Sequence, residues 1–479
     1  MSDRIILGHH IAGRSVAGPA AFAQCNPADP GDLRIEGPEA SPADADAATD
    51  AARKAVDAFA SAGVEARSDA LARIGRALTS DVDRLALLIA RETGKTLGDS
   101  KGEVLRAARL FDFFAGETLR NIGERFASTR PGVTVEVDYQ AVGVVAAITP
   151  WNFPIAIPAW KIAPALAFGN GVVWKPSEIS SATAAALMEI IAGSGLPAGG
   201  VNMLLGAGGA GGAVVAASGI DAVTFTGSIA TGAKVRMAAA ERSIRTQLEM
   251  GGVNGLIVLA DADFSNAVDC AVNGAFFAAG QRCTATSRII VEASIADRFI
   301  EALRTRVAAI KIGDPRDPAT QVGPLAAPRQ KQLIARQVAD VEASGLVPLF
   351  GGSAVEMEHS FYAPTLFDGA PADSDLAQSE IFGPVAGVFR VGDFEEAMQL
   401  LNGNRFGLSA GICTRSLLHA EEFKRRARAG MTMINLPTAG VDYHAPFGGI
   451  AASSFGPREQ GRAARSFYTN IKTSYQKPL

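Results

Sequence analysis

Small and branched apolar residues recur at helical spacing through the opening third of the chain, then give way to short apolar runs of strand length. Residues 41–62, SPADADAATDAARKAVDAFASA, open with a capping signal. Ser41 can accept from the first turn, Pro42 suits the first helical position, and Asp44 supports that turn. Residues 67–93 and 101–122 read as two further amphipathic helices, the latter with Leu105, Leu110 and Phe114 on one stripe. The period changes at Val133. VTVEVDYQAVGVVAAI is rich in β-branched residues and alternates over its first half, which predicts strands.

From there strands and helices alternate. Strands are predicted at 171–174, 201–205 and 222–226, with helices at 182–194, from 213 to 218 onward, and at 232–240. A second block begins near Gly255, with strands at 256–259 and 288–292 and helices at 262–278 and 295–308. It continues with a strand at 385–389, a helix at 394–401 and a strand at 410–413. Such alternation predicts an α/β fold on doubly wound parallel sheets, in two lobes. There is no short-period repeat, low-complexity tract or long linker.

At 479 residues the chain is long enough for a large core, and about 150 residues per domain suggests roughly three lobes. The formal net charge is −4 and the pI near 5.9. That balance argues against nucleic acid or an acidic membrane surface as a partner. Cys25, Cys270, Cys283 and Cys413 are dispersed, which gives neither a disulfide framework nor a zinc pattern. The histidines form no HExxH, so no metal is expected. The N-terminal stretch lacks a signal-peptide pattern. The most apolar region, 141–174, is interrupted by Pro150, Pro154, Pro158, Lys161 and Pro164, which argues against a membrane span. A reducing, cytoplasmic setting is the expectation.

Four islands of chemistry stand out, the first two at predicted strand ends and the third between a strand and a helix. In TPWNFP (149–154), the Asn152 amide can hold a developing oxyanion, although an Asn between proline flanks is also an ordinary turn residue. In WKPSE (174–178), Lys175 and Glu178 can reach ribose hydroxyls; the alternative is a solvated turn with Ser177 as a helix cap. FTGS (225–228) offers backbone N–H groups to a phosphate. GAGGAG (206–211) formally matches GxGxxG around Gly208, but glycine-rich turns are common and the preferred reading is a plain tight turn. The fourth island joins LEMGG (248–252) to GQRCT (280–284). Cys283 is a candidate nucleophile and Glu249 a candidate base. Arg282 and a nearby helix N-terminus are expected to lower the Cys283 pKa. Cys25, Cys270 and Cys413 read as small buried hydrophobes.

Taken in this order, the islands resemble the aldehyde dehydrogenase superfamily, over nearly the whole chain to the C-terminal KTSY. EIFGPV (380–385), PFGG (446–449) and the separation of Glu249 from Cys283 strengthen the resemblance. It implies a Rossmann-like cofactor domain (1–123 and 142–250), an α/β catalytic domain (251–449) and a small β oligomerisation flap (124–141 and 460–479). A homodimer or homotetramer then follows. The implied chemistry is attack of the Cys283 thiolate on an aldehyde, with Asn152 as oxyanion donor, and hydrolysis of the resulting thioester by water that Glu249 activates. The implied cofactor is NAD or NADP. Its contacts would be Thr149, Pro150, Trp151, Lys175, Ser177, Glu178, Gly208, Phe225, Gly227, Ser228, Gly251, Glu380 and Phe382. Glu178 would favour NAD, whereas Ser177 and Lys175 would tolerate a 2′-phosphate. The implied substrate tunnel comprises Phe153, Ile157, Trp160, Arg282, Thr284, Val441, His444 and Phe447.

The C-terminal stretch NLPTAGVDYHAPFGG, continuing to SSFGPREQG (435–461), most resembles 2,5-dioxovalerate (α-ketoglutaric semialdehyde) dehydrogenases. Arg282 or His444 would then meet the substrate carboxylate. One departure is Ile450-Ala451, where that subgroup has Arg-Lys. With Phe153 and Trp160 it keeps an uncharged aliphatic or aromatic aldehyde as the alternative. A CoA-acylating relative would usually lack Glu249. A non-catalytic binding protein on this fold would have lost Cys283, Glu249 or Asn152.

Overall fold

A computed structural model describes residues 3–120, 123–353 and 357–478. The tips of the expected first and last segments (1–2 and 479) and the 121–122 step lie outside the described residues. Ser41 closes the start of helix α1 (Pro42–Ser80) as its sequence predicts. Its Oγ accepts from Asp44 N at 3.2 Å, and Asp44 Oδ2 accepts the Ser41 N–H at 2.9 Å. The helix turns a corner at Gly63, and the expected helix over 67–93 is divided at Asp81 into the end of α1 and α2 (Val82–Thr93). In α3 (Leu97–Leu119) the expected stripe is corrected: Leu105 is exposed, and Val104, Ala107, Leu110, Phe111 and Phe114 are buried. Leu105 and Leu110 are five residues apart, which places them about 140° apart around the axis.

The strands Val144–Ile148, Gly171–Lys175, Val201–Met203, Ala222–Thr226 and Arg245–Glu249 form the parallel core of an eight-stranded sheet. Helices α4 (Ala156–Ala167), α5 (Ser181–Ala192), α6 (Gly208–Ala216) and α7 (Ile229–Glu241) connect them. Both faces are covered, which is why these strands read as apolar runs without alternation. The chain enters at Val144–Ile148, builds outward to Val201–Met203, then crosses back to add Ala222–Thr226 on the other side. This reversal opens a crevice beyond the carboxyl ends of Val144–Ile148 and Ala222–Thr226, the place where such sheets bind ligands. The glycine-rich run is helix rather than turn: α6 begins at Gly208. Glu39 holds its start, accepting the Ala207 and Ala210 N–H groups at 2.7 and 2.8 Å.

A buried carboxylate performs the same task at α5. Glu92 accepts Ala182 N at 2.7 Å, Thr183 N at 2.8 Å and the Thr183 hydroxyl at 2.6 Å. Burial pushes its pKa up to about 7, against the pull of those hydrogen bonds. A raised folded pKa contributes stability at acid pH that is lost as pH rises through about 7. Glu92→Gln turns an amide N–H₂ toward backbone donors. It is expected to cost about 1–3 kcal/mol at pH 5.5, and less at pH 8. Urea midpoints at both pH values check this; a cost that grows with pH would contradict it.

Helices α8 (Phe264–Phe276), α9 (Ala293–Ala308) and α10 (Pro328–Ala343) belong to the second lobe. Its seven-stranded sheet runs Pro348–Phe350, Thr365–Asp368, Val385–Val391, Thr286–Glu292, Asn254–Val258, Ser409–Cys413, Met431–Ile434, parallel except for its first pair. Helix α10 lies outside the sequence expectations because only Ile334, Val338 and Val341 bury a stripe in an otherwise polar segment. A separate antiparallel sheet joins Glu124–Ala127, Thr134–Ala141 and Thr469–Gln476. Among the described residues no helix is long and apolar enough to cross a membrane.

Candidate active site

Helix α8 stops at Phe276, and Ala278, Ala279 and Gly280 follow with φ of 54°, 52° and 66°. Left-handed backbone costs each alanine about 1–3 kcal/mol. Glycine is required at 280, where a Cβ would meet Gly383 O at 2.0 Å. This turn delivers Cys283, half-buried, to a cavity of about 380 Å³. Pro150, Trp151, Asn152, Ile157, Trp160, Gly227, Ser228, Glu249, Gly251, Glu380, Phe382 and Phe447 line the same cavity. Asn152 Nδ2 donates to Gln281 O at 3.1 Å. A carbonyl can only accept, so this bond sets which way the amide faces and leaves one N–H uncommitted.

The cavity is electrostatically unfavourable for anions at the thiol. Burial, then the carboxylates of Glu380 and Glu249, push the Cys283 pKa up to about 12, against its own and Thr284's backbone N–H groups. The expectation of a lowered pKa is therefore corrected. Arg282 is turned away: its Nη2 donates to Asn273 O and, at 3.4 Å, to Gly274 O, carbonyls at the end of α8. Glu249 is held well above the usual carboxylate range by burial and then by Glu459, against Ser454, Lys161 and Arg458. Ser454 Oγ donates to Glu249 Oε2 at 2.5 Å. Glu459 is itself buried in an ion pair with Lys161, whose Nζ also donates to Thr224 Oγ1 at 2.9 Å. Burial raises Glu380 to about 7, opposed by the Gly252 N–H at 3.2 Å.

The remaining expected residues stand off this cavity. Thr149 accepts the Trp174 indole N–H at 2.9 Å, and Phe225 packs beneath Gly227. Phe153 turns its ring to Lys95, whose Nζ lies 3.9 Å from the centroid. Thr284 is buried, with its carbonyl taken by the Thr438 hydroxyl at 2.8 Å. Val441 and the exposed His444 lie on the 440–445 loop. Gly208 is exposed in the first turn of α6, where Glu39 already takes the Ala207 and Ala210 N–H groups. Cys270 and Cys413 are buried as small hydrophobes, while Cys25 is only half-buried.

At the end of Gly171–Lys175, the Lys175 ammonium lies 3.8 Å from Glu178, and Ser177 Oγ accepts the Ile179 N–H as a cap. Arg329, outside the sequence reading, donates to Glu178 Oε1 at 2.6 Å from the start of α10. Burial raises the Glu178 pKa, yet the charge of Lys175 and then Arg329 hold it below the usual range. Burial lowers Lys175. Two features fit this crevice to a dinucleotide. Gly251 has no room for a side chain, since a Cβ would meet Glu380 Oε2 at 1.9 Å, and Thr226 Oγ1 is buried without a partner at the strand end. Among the described residues no cluster of His, Cys, Asp or Glu could hold a metal ion.

The model of the Aldehyde dehydrogenase family matches residues 15–474. An alpha-ketoglutaric semialdehyde dehydrogenase of Bacillus subtilis (strain 168) is 38% identical over 458 residues, 95% of this chain and 94% of that one. A betaine aldehyde dehydrogenase of the same organism is 36% identical over 446 residues, 90% of this chain and 89% of that one. The crystal structure of betaine aldehyde dehydrogenase from Staphylococcus aureus in complex with NAD+ superposes with a TM-score of 0.94 at 33% identity, covering 98% of this chain and 94% of that one.

Proposed function

The chain belongs to the aldehyde dehydrogenase family and is an NAD(P)-dependent aldehyde oxidoreductase; from that premise we propose that it oxidises a carboxylated aldehyde, α-ketoglutaric semialdehyde, to 2-oxoglutarate. The observation that carries the chemistry is the convergence of Cys283, Asn152, Glu249 and Glu380 on one cavity. Cys283 reacts as the thiolate, its proton having passed to solvent: Sγ adds to the aldehyde carbon, and the oxygen that takes up charge meets the free Asn152 N–H and the Cys283 backbone N–H. A bound NAD or NADP supplies the hydride acceptor. The acyl group stays on Cys283 as a thioester. Glu249 takes a proton from water, the water oxygen attacks the thioester carbon, and the acid leaves as the thiol is restored. Lys175, Glu178 and Glu380 would hold the two riboses of the dinucleotide.

The substrate reading is supported by the name of the Bacillus subtilis relative and by where the departure at 450–451 falls. Ile450 packs over Gly407 and Ala451 lines a separate groove with Phe455, so neither touches the cavity. The uncharged-aldehyde reading rests on Ile157 and the stacked rings of Trp160 and Phe447, 5.3 Å apart. kcat/KM for α-ketoglutaric semialdehyde and succinic semialdehyde is expected to exceed that for pentanal and benzaldehyde at least about 10-fold. A preference for the uncharged pair would replace the proposed substrate. The proposal extends to a cytoplasmic homodimer or homotetramer. Four free thiols support the setting, and exposed Phe126, Ile471 and Tyr475 on the small antiparallel sheet support assembly through its edges.

A further inference from the structure

A substrate carboxylate needs a cation, and neither residue expected to supply one stands on the cavity. Arg282 is tied to the α8 carbonyls, and His444 is exposed on its loop. Arg106 of α3 does not line the cavity either, but it stands against a residue that does. Its guanidinium carbon lies 5.8 Å from the ring centroid of Trp160, a wall of the cavity. Its charged neighbours are Glu103, Asp442 and the Cys283 thiol. Glu103 is already committed, with Oε2 to Lys95 and Oε1 to the Ile155 and Ala156 N–H groups at 2.8 and 3.1 Å. Asp442 is exposed. Among the described residues Arg106 makes no ion pair, and its one hydrogen bond runs from Nη2 to Gln460 Oε1 at 3.3 Å.

The neighbourhood is short of acceptors. Arg106 Nε, Trp160 Nε1 and Gln460 Nε2 are all buried without a hydrogen-bond partner. Each of these groups is a donor, so what they lack is an acceptor, and the guanidinium favours an anionic one. Gln460 is fully buried and holds φ of 60°, a conformation that a non-glycine residue keeps only where its surroundings impose it.

We propose that Arg106, with Gln460 and the Trp160 indole N–H, receives the carboxylate at the non-reacting end of the substrate, and so determines the preference for carboxylated over uncharged aldehydes. This rests on the semialdehyde reading above. The test is kcat/KM for α-ketoglutaric semialdehyde and for pentanal in wild type, Arg106→Met, Arg106→Lys and Trp160→Phe. Arg106→Met is expected to lower the semialdehyde-to-pentanal ratio about 10- to 100-fold, mainly through KM. Arg106→Lys recovers part of that loss. Trp160→Phe, which keeps the ring and removes the N–H, lowers the ratio several-fold and carries the test if Arg106→Met fails to fold. Equal losses on both substrates, or none, overturn the role of Arg106 while wild-type preference for the semialdehyde keeps the substrate reading intact. Wild-type preference for pentanal overturns the reading and the inference together.

Discussion

Cys283→Ala is expected to lower kcat for aldehyde oxidation by about 10⁴-fold or more, with dinucleotide affinity retained. No other thiol can substitute. Cys270 and Cys413 are buried in the second lobe's core, and Cys25 lies outside the cavity. The side chain that is lost is the one that makes the aldehyde carbon tetrahedral and carries the acyl group. Dinucleotide fluorescence titration separates binding from chemistry, and absorbance of the reduced dinucleotide reads turnover. Substantial steady-state turnover in the variant would take the nucleophile's role from Cys283. The wild type should also carry a pH signature. The thiol is pushed up to about 12 by burial, Glu380 and Glu249, and the thiolate is the reactive form. The thiolate fraction therefore grows as pH rises, and kcat/KM is expected to climb from pH 6 to pH 9. A flat profile over that range would mean that the thiolate is already formed at neutral pH.

The fold and the centre of the site were legible for one reason. In a doubly wound sheet, chemistry gathers at strand ends, and strand ends show in sequence as apolar runs broken by Pro, Gly and polar residues. Asn152 and Glu249 sit at or just beyond such breaks and Cys283 in the turn before a strand, and it was the family resemblance carried by the order of these islands that brought them together. Glu380 came through the EIFGPV motif. Partnerships between distant segments were not legible. Ser454 on Glu249, Arg329 on Glu178 and Gln337 on the Glu380 carbonyl join segments far apart in sequence, and no local pattern marks them. Arg282 shows the opposite failure. Its place next to Cys283 suggested a charge beside the sulfur, but the left-handed turn at Ala278–Gly280 decides where its side chain points. Arg106 was hidden because an arginine at a half-buried helix position looks like any amphipathic boundary residue. Only its missing partners distinguish it.

Glu249→Gln is expected to separate the two halves of the reaction. The amide is nearly isosteric and keeps an acceptor for the Ser454 hydroxyl, which now donates to Oε2 at 2.5 Å, so packing is preserved. What it cannot do is take a proton from water. Addition by Cys283 and hydride loss do not need that proton transfer. Mixing enzyme with substrate and dinucleotide in a stopped-flow instrument should therefore give a burst of about one reduced dinucleotide per active site. A steady rate about 10²- to 10⁴-fold below wild type should follow. The pH dependence of the slow phase gives a second check. Burial and the nearby Glu459 hold the Glu249 pKa well above the usual carboxylate range, with Ser454, Lys161 and Arg458 pulling only partly the other way. In the wild type, the base is thus increasingly formed as pH rises, and thioester hydrolysis accelerates with it. In Glu249→Gln that group no longer titrates, so its contribution to the pH dependence of the slow phase disappears. Full turnover without a burst would remove Glu249 from hydrolysis. Loss of the burst itself would move its role forward, to taking the proton from Cys283, whose pKa the Glu249 carboxylate helps to raise.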